Sequence, residues 1–194
     1  RDLPGRQQPG DAGGEHPRLA RAGTGQDQRV FVGQRDRGEL LVRGPQVFDG
    51  YRGMPDETAA AFHDGWFRTG DIVTMDERGF LTVVDRIKEV IITGGFNVYP
   101  SEVEAVLRSH DAVLDVAVVG LPHPGGSEEV VAAVVLVEGL DLLPDDLNAH
   151  ARESLTAYKV PRRFIVVTQL PLNAMGKVVR REVARTLSES GSGR

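Results

Sequence analysis

Two stretches of this chain, AVLDVAVVGL at 112–121 and EEVVAAVVLVEG at 128–139, place apolar side chains at nearly every position. Successive side chains of a strand point to opposite faces, so a strand that is apolar throughout needs cover on both sides. That requirement excludes a sheet with one wet face and demands helices above and below. The flanking sequence supplies them. PSEVEAVLRSH at 100–110 sets Val103, Val106 and Leu107 on one helical face, and Ser101 and Glu104 have the spacing of a capping box. PDDLNAHARESL at 144–155 opens on Pro144, and VVRREVARTL at 178–187 gives a last helix. RRFIVVTQL at 162–170 reads as a third strand. From about residue 86 the expectation is therefore an α+β unit, a small β-sheet flanked by helices.

Upstream the elements are shorter. GELLVRG at 38–44 reads as a strand between glycines, and PDETAAAFHDG at 55–65 as a helix, acidic at its start and ended by glycine. FRTGDIVTMDERGFLTVVD gives two strands about a turn at 76–79, and KEVIITGG a β-branched strand ending in a double glycine. Residues 37–85 hold little apolar mass and read as the edge of something larger. Residues 1–36 lack an apolar period and are rich in Gly, Pro, Gln and Arg, the composition of irregular or disordered chain. The tail at 188–194, SESGSGR, is expected to be disordered as well.

Composition narrows the function. A formal net charge of -5 argues against nucleic acid as the main partner, because phosphate binding needs a basic face. Cysteine is absent, which excludes disulfides and thiolate-bound metals. The five histidines show no metal-ligand spacing, so no metal site is expected on this chain and no histidine is read as catalytic. No apolar run approaches the roughly 18 residues of a transmembrane segment. A cytoplasmic protein is the expectation, with contact at a membrane surface left open.

Four features carry chemistry, each with a plain structural alternative. Asp71, in Thr-Gly-Asp after Trp66 and Phe67, either accepts both hydroxyls of a vicinal diol or bonds its own turn backbone. Arg86 and Lys88 are two apart, so on one strand they share a face, either to hold a phosphate or ribose or as a charged edge. Gly94 and Gly95 either let another molecule approach bare backbone or form a turn. Lys177 follows Gly176 in a Pro/Asn/Gly loop, either to meet developing negative charge or as an exposed lysine before a helix. Of the 23 Lys and Arg residues only Lys88, Lys159 and Lys177 are lysine. GC-rich coding explains that bias, yet a lysine kept against it offers a compact charge that arginine does not.

Taken together, GELLVRGPQVFDGYRG, DGWFRTGD, DRIKEVIITGGFNVYPSEVE, YKVPRRF and PLNAMGKVVRRE closely resemble the acyl-adenylate-forming (AMP-binding) superfamily from about residue 38 to residue 187. Within it the chain looks most like bacterial medium- or long-chain fatty-acid–CoA ligases. The resemblance implies two steps. A carboxylate attacks the α-phosphate of ATP to give an acyl-adenylate and pyrophosphate, and coenzyme A then takes the acyl group and releases AMP. It implies that Asp71 accepts the ribose hydroxyls and Arg86 also touches the ribose, with Asp85 standing where the family pairs a glycine with that arginine. It places Lys88 at the hinge of a small C-terminal domain and Gly94 and Gly95 along the pantetheine tunnel, and makes Lys177 the catalytic lysine of the first step.

ATP, Mg2+, coenzyme A and a fatty acid are thus the implied cofactors and partners. The phosphate loop, acyl pocket and magnesium-binding glutamate of the family have no counterpart here. The expectation is a fragment, inactive alone: the strand-rich end of the large N-terminal domain at 37–85 and the small C-terminal domain at 86–187. An adenylation domain or acyl-carrier-protein ligase fragment shares these motifs, and a non-catalytic free-standing module is the other alternative. The family pattern sets in abruptly at Arg37, as a reading frame shifted upstream and restored there would produce. The coding DNA checks this: a shifted frame predicts anomalous codon usage across codons 1–37, and one continuous frame with uniform usage would sink it.

Overall fold

The computed structural model describes residues 19–20, 29–31, 37–140 and 142–191. Within the stretch expected to be irregular, two short strands are described: β1 (Leu19–Ala20) and β2 (Arg29–Phe31) pair antiparallel. The rest of 1–36 lies outside the described residues. β2 pairs in turn with β3 (Arg37–Arg43), which sets Phe31 opposite Leu41. The helix α1 (Pro55–Ala61) has proline in its first turn and Asp56 and Glu57 against the positive end of its dipole. It stops at Ala61, short of the expected Gly65, because Phe62 and His63 form β4 (Phe62–His63) against β5 (Trp66–Met75). Asp64 and Gly65, at φ 50° and 78°, make the two-residue turn between them. β5 pairs with β6 (Leu81–Arg86), and the Asp76 carboxylate closes their turn by accepting the Arg78 and Phe80 N–H groups.

The chain divides into two compact units, Arg1–Thr69 with Val73–Thr82, and Gly70–Ile72 with Val83–Arg194. The division thus falls after Thr82, where the sequence suggested Asp85. In the first unit Val73 is fully buried against Leu40, Met75 and Leu81.

The second unit follows a 3-10 turn at Ile87–Glu89. β7 (Ile91–Thr93) and β8 (Phe96–Val98) form an antiparallel hairpin, followed by α2 (Pro100–Arg108). Then come β9 (Val113–Pro122), β10 (Glu128–Leu136), α3 (Pro144–Ser154), β11 (Arg163–Val166) and α4 (Arg180–Gly191). β10 is the centre of a three-stranded sheet, antiparallel to β9 and parallel to β11. The double cover required by the apolar strands is present. Val116, Val118, Val130, Ala132 and Val134 bury one face with Val103 and Leu107 of α2 and Leu147 and Ala151 of α3. Ala117, Val119, Leu121, Val131 and Ala133 bury the other with Leu170 and with Val183 and Leu187 of α4. α4 begins two residues later than expected and continues to Gly191, into the stretch 188–194 expected to be disordered; residues 192–194 lie outside the described residues. Among the described residues no helix is long and apolar enough to cross a membrane.

Close packing leaves little room for a side chain at Gly120, whose backbone angles would otherwise accept one. A Cβ on Gly120 of β9 would lie 2.9 Å from Glu128 Cδ and 3.0 Å from Ile91 Cγ2. Glu128 cannot swing away without cost, because its Oε2 accepts the Ile92 N–H at 2.7 Å. Gly120→Ala should therefore lower stability by about 1–3 kcal/mol, read as a shifted midpoint in chemical denaturation.

Candidate functional site

Asp71 of β5 and Arg86 at the end of β6 meet across the second unit, with Arg86 Nε 2.7 Å from Asp71 Oδ1. The pair is partly shielded, Asp71 more so than Arg86. Gly70, at φ 73°, makes the turn of backbone just before the carboxylate, with Ile87 Cγ2 3.9 Å from where a Cβ would stand. Asp85, the neighbour of Arg86, is buried. Its Oδ2 accepts the Ser101 N–H at 2.9 Å and its Oδ1 the Arg86 N–H at 3.2 Å.

This corrects the expected capping box. Pro100 occupies the first turn, so Tyr99 is the N-cap residue of α2, and Ser101 lies inside the helix as a donor. The carboxylate that serves the helix start comes from β6. Glu104 turns inward, where its Oε1 accepts the Val118 N–H at 2.8 Å.

Lys88 does not share a strand face with Arg86, because β6 ends at Arg86 and Lys88 lies in the 3-10 turn. It lines a groove of about 360 Å³ with Glu89, Gly120, Glu128 and Arg180. Arg180 is the residue the sequence reading passed over. It stands at the first position of α4, where a cation opposes the helix dipole. Its Nη1 is 2.6 Å from Glu89 Oε2, its Nη2 2.8 Å from Glu104 Oε2 and its Nε 3.1 Å from Glu104 Oε1. Burial by itself pushes this guanidinium down, but the hydrogen bond to Glu104 and the charges of Glu104, Glu89 and Asp85 outweigh it and hold the group above its ordinary value. An arginine against the dipole was the sequence signal that a buried acid waits nearby.

Gly94 and Gly95 form the β7–β8 turn with φ of 55° and 83°, and nothing stands within 4 Å of a Cβ built on either. Gly94 also edges a groove of about 270 Å³ that Phe96 and Tyr158 line. Those rings stack at 4.7 Å. Lys177 is exposed at the end of a tight loop. Asn173 Oδ1 accepts the Met175 and Lys177 N–H groups, both at 2.9 Å, and Gly176 takes φ 76°. The structure thus brings Asp71 to Arg86. Among the described residues no hydrogen bond or ion pair joins Lys177 to them or to the glycine turn. No group of three or more His, Asp or Glu among the described residues is arranged to hold a metal ion.

Residues 102–177 match the family described as AMP-binding enzyme C-terminal domain. Residues 102–177 thus carry the AMP-binding enzyme C-terminal domain, and the chain as a whole is similar to acyl-adenylate-forming enzymes. It is 40% identical to a long-chain-fatty-acid–CoA ligase of Bacillus subtilis over 96% of its length, and 49% identical to one of Yersinia pestis over 75%. It spans 33% and 26% of those two relatives. ATP-bound MatB from Rhodopseudomonas palustris superposes with a TM-score of 0.75 at 37% identity, over 88% of this chain and 33% of that one. The α+β architecture is thus that of adenylate-forming enzymes.

The Arg180 cluster makes a stability prediction for the second unit. Removing the arginine leaves Glu104 buried without its counter-charge, so Arg180→Ala should cost about 3–5 kcal/mol. Arg180→Lys keeps the charge but not the two-pronged geometry and should fall between. Urea denaturation of both variants checks the order.

Proposed function

We propose that this chain is part of an ATP-dependent ligase that joins a fatty acid to coenzyme A through an acyl-adenylate. The observation that carries the reading is the Asp71–Arg86 pair at 2.7 Å in a chain that carries the AMP-binding enzyme C-terminal domain. A carboxylate fixed by a guanidinium suits the two hydroxyls of a ribose as acceptor, and Arg86 adds a donor beside it. The fatty acid rests on the kinship with the ligases of Bacillus subtilis and Yersinia pestis.

In the first step a carboxylate oxygen bonds the α-phosphorus of ATP and pyrophosphate leaves. Negative charge gathers where the two anions meet, and Lys177 is the group proposed to offset it. The tight Asn173-anchored loop presents that ammonium with few backbone degrees of freedom. In the second step the thiol of coenzyme A attacks the acyl carbon and AMP departs. The bare backbone of Gly94 and Gly95 leaves room for the pantetheine arm at the rim of the adjoining groove. Lys88 is read as the pivot between the two steps.

The test is a chimera in which residues 83–191 replace the corresponding part of the Bacillus subtilis relative. It should form fatty acyl-CoA. Lys177→Ala should slow acyl-adenylate formation by about 10²–10³-fold while thioester formation from supplied acyl-adenylate stays within a few-fold. Equal losses in both half-reactions, or none, would remove Lys177 from the role.

A further inference from the structure

Among the described residues two carboxylates are buried, those of Asp85 and Glu104. Arg180 answers Glu104, but Asp85 has no part in the chemistry proposed above. Its bond to the Ser101 N–H joins residues 16 apart, and Lys88 lies between them. The bond therefore closes a loop around the residue read as the pivot. The packing agrees: Gly70–Ile72 and the chain from Val83, including residues on the near side of Lys88, belong to the second unit in this structure.

We propose that Asp85 is a latch across the pivot: its bond to the Ser101 amide ties the strand before Lys88 to the helix after it, and must break before the turn at Lys88 can rotate. The inference rests on the reading of Lys88 as a hinge. A hydrogen bond tolerates only a few tenths of an ångström around its ordinary length. From Asp85 to Lys88 the chain is part strand and part 3-10 turn and spans roughly 7–9 Å. A rotation of tens of degrees at Lys88 thus carries the carboxylate several ångströms, well out of reach. The bond resists because it is charge-assisted, shielded from water and placed at the positive end of the α2 dipole. The Arg180 guanidinium feels the same carboxylate from the far side of the pivot. Asp85 is a positioning residue: it sets how readily the domain leaves this conformation.

Native-state hydrogen exchange on the full chain, read residue by residue by NMR, tests this. In Asp85→Ala the Ser101 amide should exchange about tenfold faster. The Ile87–Glu89 amides should gain in parallel, while Val118 and Val131 at the centre of the sheet keep their rates. Asp85→Asn retains an acceptor without the charge and should lie between, which also covers the case that the alanine variant fails to fold. Release of Ser101 with Ile87–Glu89 unchanged would make Asp85 a helix cap alone and overturn the latch. So would an unaltered Ser101 amide. Failure of the hinge reading shows elsewhere: Lys88→Pro, which fixes φ, would leave both half-reactions of the chimera untouched.

Discussion

The buried charge of Glu104 is the constraint around which the second unit is arranged. A carboxylate in an apolar interior is tolerable only if every lone pair is met. Here one oxygen takes a strand amide, that of Val118, and both take the fork of Arg180. Arg180 is thereby drawn to the first position of α4 despite the helix dipole, and its remaining arm reaches Glu89 beside the pivot. Three elements distant in sequence, α2, the 3-10 turn and α4, are fixed by one guanidinium. The loop that ends in Lys177 precedes Arg180 by three residues, so its base is fixed by the same contact.

What the sequence made legible was whatever a local rule could state. Apolar runs at 112–121 and 128–139 demanded cover on both faces, and the two faces are filled by α2 and α3 on one side and α4 on the other. Motif order pointed to AMP-binding enzymes, and the match to their C-terminal domain at 102–177 lies within the stretch those motifs span. What local rules could not reach were partners far apart. Ser101 and Glu104 have capping-box spacing, but Pro100 shifts the helix start and the inward demand of Val118 and Arg180 claims Glu104. Arg86 and Lys88 have strand spacing, but a 3-10 turn intervenes. The helix expected to reach Gly65 gave way to a hairpin because Phe62 pairs with Phe67, where the two rings lie 5.6 Å apart.

The candidate site shows the same division. Asp71 and Arg86 stand on strands adjacent in sequence, so their meeting follows from a simple hairpin of β5 and β6. Asp85 looked like a departure from the family's glycine. In the fold it is the acceptor that completes the first turn of α2, and no alternation rule within β6 names a helix sixteen residues on as its partner.

The order of the elements has a consequence for biosynthesis. The face of the sheet formed by Ala117, Val119, Leu121, Val131 and Ala133 is closed by Leu170, Val183 and Leu187. Those last residues leave the ribosome after both strands are complete, and the opposite face can already be covered by α2 and α3. For that interval a nascent chain carries a paired, half-covered sheet with one apolar side open to water, the kind of surface that recruits chaperones or aggregates. A ribosome stalled before Val183 would release a product whose defect is not a missing lysine but an uncovered sheet.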